Sequence, residues 1–211
     1  MRQNTAHNFF SDTEKDRISA LVAEAELHTS GEIVTMVVDE SDRYREAEIL
    51  GAVLLSALVA LITAIVIHHI TIWSYIPLVI LIYLPAKAVL RYFPRLKLVF
   101  TGTMRREEAV RERAIRAFFE KGLYRTREAT GVLIFISLVE RKVWILGDSG
   151  INARIEADSW QRYVDALTDG IRKGRACDAL CAVVESCRDL LAEHFPRRAD
   201  DLNELPDEVI S

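Results

Sequence analysis

Between Ile49 and Ala86 the chain contains no Asp, Glu, Lys or Arg. This single feature constrains the fold more than any other. Half of all residues are hydrophobic, yet 27% are charged, and both figures hold only if the apolar residues are concentrated. Ile49 to Ile67 gives roughly 19 residues, which at about 1.5 Å each span about 28 Å, the thickness of a bilayer's hydrocarbon core. His68 and His69 interrupt the run, and Ile70 to Ala86 resumes it. Lys87 can snorkel outward while Val89 and Leu90 extend the second helix. The expectation is a transmembrane hairpin with helices over about 49–67 and 70–90. Trp73, Tyr75, Tyr83 and Tyr92 stand near the ends of the second run, where aromatic belts lie, and Pro77 is tolerated in a membrane helix. A soluble, buried hairpin is the competing reading. The remaining residues, about 170, are enough for one domain but too few to cover two helices that are apolar all round.

The flanks predict orientation. Arg43, Arg45, Lys87, Arg91, Arg95 and Lys97 lie outside the hairpin, and its turn has no Lys or Arg. Positive flanks stay in the cytoplasm. A two-helix, multi-pass protein of a bacterial inner (cell) membrane follows, with both termini cytoplasmic. Cys177, Cys181 and Cys187 are an odd set in one short stretch, which speaks for a reducing compartment rather than a disulfide framework. Met1 to Phe10 has no apolar core of the secretory-signal kind. The net charge of −4 argues against nucleic acid as the main partner.

The soluble parts alternate helix and strand. Ser11-Asp12-Thr13-Glu14 reads as a capping box, followed by Ile18, Leu21, Val22 and Ala25 at helical spacing. Gly31 closes that helix, and Ile33 to Val38 is a buried strand. After the hairpin, Met104 to about Lys121 is helical, with Val110, Ala114, Ala117 and Phe118 as its apolar stripe. Val132 to Leu138 and Val143 to Leu146 read as strands around a turn at Glu140-Arg141-Lys142. Gly147-Asp148-Ser149-Gly150 is a loop. Asp158 is the expected N-cap of a helix with Gln161 at N3 and with Trp160, Val164, Leu167 and Ile171 facing inward. Asp178 to His194 is the last helix, with Leu180, Val183, Val184, Cys187 and Leu191 inside. The expected fold is a small three-layer α/β/α sandwich with an inserted transmembrane hairpin. Its parts are residues 1–42 and 98–196 as one soluble domain, 43–97 as the hairpin with its flanks, and 197–211 as a loosely ordered acidic tail.

Thr29-Ser30-Gly31-Glu32-Ile33, Thr130-Gly131-Val132-Leu133-Ile134, Glu140-Arg141-Lys142, Gly147-Asp148-Ser149-Gly150-Ile151 and Leu190-Leu191-Ala192-Glu193-His194-Phe195-Pro196, taken in this order, resemble the TPM domain, also called the TPM phosphatase family. The resemblance implies an α/β/α sandwich. It also implies divalent metal sites and, from one plant branch, acid phosphatase activity linked to photosystem repair. Typical members carry a signal peptide and a terminal anchor, whereas the anchor here is internal.

Asp148 in its Gly-rich loop is the leading site candidate. Together with Asp39, Glu40 and Asp42 it would bind Ca²⁺ or Mg²⁺, provided the strands they follow are parallel neighbours. The competing reading makes Gly147 to Gly150 an ordinary turn and Asp148 a cap. Glu140 and Arg141 are catalytic or phosphate-contacting candidates, or the solvated tip of a hairpin. Arg105, Arg106, Arg111, Arg113 and Arg116 suit lipid headgroups, or pair along the helix with Glu107, Glu108 and Glu112. Cys177 and Cys181, and His68 and His69, are weaker metal candidates. Two functions stay open. One is a membrane-tethered adaptor or assembly factor that binds another membrane-associated protein. The other is a metal-dependent phosphatase acting on phosphorylated small molecules or proteins.

Overall fold

The computed structural model describes residues 6–67, 72–155, 157–197 and 209–210. They form two compact units, Met1–Ser41 with Ala109–Ser211, and Asp42–Glu108. His68 and His69 lie outside the described residues, as do most of the acidic tail and the side chain of Asp158.

The larger unit is built on three strands, β1 (Glu32–Val38), β2 (Gly131–Ser137) and β3 (Lys142–Gly147), in the order β1-β2-β3. β1 runs parallel to β2, with Glu32 opposite Gly131 and Val38 opposite Ser137. β3 returns antiparallel, so that Val132 faces Gly147. Strand alternation sends side chains to two faces. Ile33, Val37, Val132, Ile134, Ile136, Val143 and Ile145 join one core with α1 (Asp12–Glu26), α7 (Ala157–Arg172) and α8 (Ala176–His194). Val34, Met36, Leu133 and Phe135 join the other with Val110, Ala114, Ala117 and Phe118. Those four lie on α5 (Thr103–Glu120). The result is a three-layer α/β/α sandwich.

Local signals explain the boundaries. Ser11 caps α1, and the reciprocal bond from the Ser11 N–H to Glu14 completes the box. α7 begins at Ala157, one residue ahead of the expected cap at Asp158, and the Gln161 amide donates forward to Asp165 at 2.8 Å. Where α7 and α8 meet, a Cβ on Gly170 would come within 2.1 Å of the Ala179 Cβ, so the close crossing requires glycine.

Of the segment expected to be a loose tail, Val209 and Ile210 are among the described residues. Ile210 forms a parallel bridge with Met36. Val209 packs against one core and Ile210 against the other. Apolar, β-branched residues beside a sheet edge with unpaired backbone groups have reason to stay there.

The smaller unit is the helical hairpin, α2 (Arg45–Ile67) and α3 (Ile72–Tyr92), with α4 (Pro94–Lys97) and a 3₁₀ turn at Leu98–Phe100. α2 and α3 are long and apolar enough to cross a membrane. Their seam is made of small residues. Ala52, Ser56 and Ala60 are buried one turn apart on α2, and Ala52 clusters with Ala86 and Leu90 of α3. Small residues at four-residue spacing let helix backbones approach closely, as membrane helices do. The Tyr75 hydroxyl donates to the Ala57 carbonyl at 3.1 Å across the seam.

Candidate functional site

Strand direction decides where the predicted site residues go. β2 is parallel to β1 and β3 is antiparallel to β2, so β3 ends where β1 begins. Asp148 therefore lies at the opposite end of the sheet from Asp39 and Glu40, about 20 Å away along a strand of this length. The parallel arrangement needed for one shared metal site is not present. Asp42 instead pairs with Arg105 at 2.8 Å. Among the described residues, no three of His, Cys, Asp and Glu are grouped so as to hold a metal ion.

At the end where β1 and β2 finish, the chain ties itself together. The Asp39 carboxylate accepts from the Ala6 N–H at 2.6 Å, and its carbonyl accepts from the Val139 N–H at 2.9 Å. Glu140 is buried, 6% exposed, and does not solvate the hairpin tip. Its carboxylate accepts from the Ser41 N–H at 3.1 Å and from the Ser137 hydroxyl. The Ser41 hydroxyl donates to Ser137 at 2.9 Å. Glu140 thus clamps the loop after β1 to the β2–β3 turn. Arg141 takes the left-handed position of that turn, φ 53°, with its side chain exposed.

The opposite end gathers four of the five motifs that carry the family resemblance. The Thr29 hydroxyl and the Ser30 N–H both donate to the Phe195 carbonyl, at 2.7 and 3.0 Å. The Thr130 hydroxyl donates to the Ser30 carbonyl at 2.8 Å. The Asp148 N–H donates to the Gly131 carbonyl at 2.9 Å, and the Gly150 N–H to the Ala129 carbonyl at 3.1 Å. Asp148 caps the one-turn α6 (Ser149–Asn152) by accepting from the Ser149 N–H at 2.6 Å. Gly147 to Gly150 is thus the end of β3 and the start of this turn, with Ser149 exposed.

A cleft of about 460 Å³ opens at this end, lined by Glu128, Gly150, Arg154, His194, Phe195 and Arg197, among others. Arg154 is fixed twice. It donates to the His194 carbonyl at 2.7 Å and its guanidinium lies 4.6 Å from the Phe195 ring centre. A cation at the last carbonyls of α8 complements the helix dipole. Arg197 donates to the Leu27 carbonyl at 3.3 Å. Two guanidiniums so placed can accept a carboxylate or a phosphate. Arg154, an isolated Arg between two helices, carries no sequence pattern of its own that would mark it.

A model of the TPM domain family matches residues 95–190. The chain is similar to that family over these residues, a little under half of its length. The match covers α5, β2, β3, α6, α7 and most of α8, and the likeness to a solved structure extends the fold to β1 and α1. The NMR structure of BA42 protein from the psychrophilic bacterium Bizionia argentinensis superposes with a TM-score of 0.60 at 20% identity, covering 96% of this chain and 94% of that one. No curated protein matches the sequence.

The three cysteines all sit inside the core of the larger unit. Burial pushes the Cys187 thiol up to about 12. Burial, with Cys181 beside it, pushes Cys177 up to about 11. The folded chain therefore keeps protons that the unfolded chain releases above about pH 9, the ordinary thiol value. The contribution of these two thiols to stability should be constant through neutral pH and fall as pH rises from about 9 towards 12. Thermal unfolding at pH 8 and pH 10 tests this. Equal melting temperatures, or rapid alkylation of native Cys187 at pH 8, would contradict the buried, protonated thiol.

Proposed function

We propose that the chain is a membrane-anchored binding module. The hairpin spans the inner (cell) membrane with both flanks cytoplasmic, and the TPM-like domain holds an extended segment of another membrane-associated protein along the outer edge of β1, in place of the chain's own tail. The spanning reading draws on the hairpin's exposed apolar helices and its small-residue seam. The binding reading is carried by one observation. The Val37 N–H donates to the Ile210 carbonyl at 2.8 Å, and the Ile210 N–H donates to the Thr35 carbonyl at 3.0 Å. The chain's own tail thus uses the backbone pairing by which sheet edges take up peptide strands.

The test is strand exchange. A chain ending at Glu208 should bind a fluorescent peptide of sequence Glu204 to Ser211 added in trans. The full-length chain should bind it at least about tenfold more weakly, because the tethered tail competes at high effective concentration. If truncation leaves peptide binding unchanged, the edge does not accept strands and the reading fails.

The phosphatase alternative has one observation in its favour, the Arg154 and Arg197 guanidiniums at the cleft. Hydrolysis of p-nitrophenyl phosphate in the presence of Mg²⁺ or Ca²⁺, abolished in Arg154→Gln, would move the conclusion to that reading.

A further inference from the structure

We infer that the segment from Arg91 to Val99 is an interfacial anchor that lies on an anionic lipid surface, an inference that rests on the spanning reading of α2 and α3. The segment has two unlike faces. Its inner face is tied to α2. Lys97 is buried, with its Nζ 3.8 Å from the Glu48 carboxylate and 3.3 Å from the Arg43 carbonyl. The Phe100 ring packs flush on Gly51, where a Cβ would stand 2.6 Å from a ring carbon. The outer face is apolar. Phe93, Leu96 and Val99 follow at three-residue intervals through α4 and the 3₁₀ turn, a spacing that stacks side chains on one side of such short helices. They are 60%, 43% and 77% exposed.

A contiguous apolar stripe held open to water is costly, and what covers it follows from its position. It continues directly from the end of α3, where a spanning helix leaves the hydrocarbon. Arg91 and Arg95 flank it, both exposed, and neither pairs with an acidic side chain among the described residues. Apolar and aromatic side chains on one face beside unpaired guanidiniums match the boundary between acyl chains and anionic headgroups. The pairing of Lys97 with Glu48 removes that charge from the lipid-facing set and holds the stripe outward.

Nitroxide labels at Val99→Cys and at Leu84→Cys, which stands in the middle of α3's exposed face, test this in full-length protein. The protein is reconstituted in nanodiscs of phosphatidylcholine alone or with phosphatidylglycerol. The wild-type chain, whose cysteines are buried, gives the background. Both labels should be reached by oxygen. Leu84 should be shielded from a water-soluble nickel chelate in both lipids, and Val99 more shielded with phosphatidylglycerol than without. That lipid dependence should vanish in Arg91→Gln/Arg95→Gln, with phosphatidylglycerol adducts in native mass spectra falling several-fold. A Val99 label open to nickel while Leu84 is shielded overturns the anchor and leaves the spanning hairpin intact. A Leu84 label open to nickel overturns the spanning reading itself. Shielding of Val99 from both probes means that protein covers the stripe, and shielding indifferent to phosphatidylglycerol and to the two arginines means that the surface does not select anionic lipid; either result overturns the proposal.

Discussion

Replacing Gly150 by alanine should destabilise the larger unit by about 3 kcal/mol, near the top of the range for overpacking a rigid site. A Cβ there would stand 2.4 Å from the Glu128 carbonyl oxygen and 2.8 Å from that of Ala129. Both obstacles are backbone, so no side chain can swing away. The close approach is itself required, because the Gly150 N–H donates to the Ala129 carbonyl at 3.1 Å. Ala129 already holds a left-handed backbone, φ 55°, and has little freedom to retreat. For a domain of this size the loss corresponds to roughly 6–12 °C in melting temperature. Gly102→Ala is the control, since a Cβ there meets nothing within 4 Å. Circular dichroism melts in detergent should show the first variant shifted and the second near wild type. A Gly150→Ala variant within about 2 °C of wild type would mean that the loop is not rigid.

This prediction bears on what the motif residues do. Gly147 to Gly150 reads from sequence as either a ligand loop or a turn, and the hydrogen bonds place it as the junction of β3 with a one-turn helix. The helices and strands were legible because their signals are local, such as the Ser11–Glu14 box, the alternation along β1 and β2, and the stripe on α5. The placement of site residues depends on strand direction across long separations. A tight turn at Glu140-Arg141-Lys142 implies that β3 runs against β2, but nothing local says that β1 runs with β2 across the inserted hairpin. Asp148 and Asp39 therefore look like neighbours in the sequence and stand at opposite ends of the sheet. Charges mislead in a similar way. Lys97 counts among the flanking positive residues, yet it is buried against Glu48. Val209 and Ile210 are hidden by the acidity of the tail around them, although their own apolar character is what seats them on β1.

Glu140→Ala should cost a comparable amount, about 3 kcal/mol, through lost hydrogen bonds rather than collision. The carboxylate is buried and accepts from the Ser41 N–H and the Ser137 hydroxyl, and Ser137 is itself only 1% exposed. Truncation removes two bonds to a charged acceptor, each worth about 1.5–3 kcal/mol, and leaves their donors behind in a poorly hydrated space. Relaxation and entering water recover part of that sum. Glu140→Gln keeps the shape and one acceptor oxygen, and the Ser137 hydroxyl can turn to accept from the new amide, so the loss should be nearer 1 kcal/mol. Arg141→Ala, one residue on and exposed, should stay within about 0.5 kcal/mol of wild type. The order Glu140→Ala, then Glu140→Gln, then Arg141→Ala in denaturant midpoints would establish Glu140 as the clamp between the β1 loop and the β2–β3 turn. If Glu140→Ala melts with wild type while ligand binding or hydrolysis is lost, the buried carboxylate serves chemistry instead, and the phosphatase reading gains what the clamp loses.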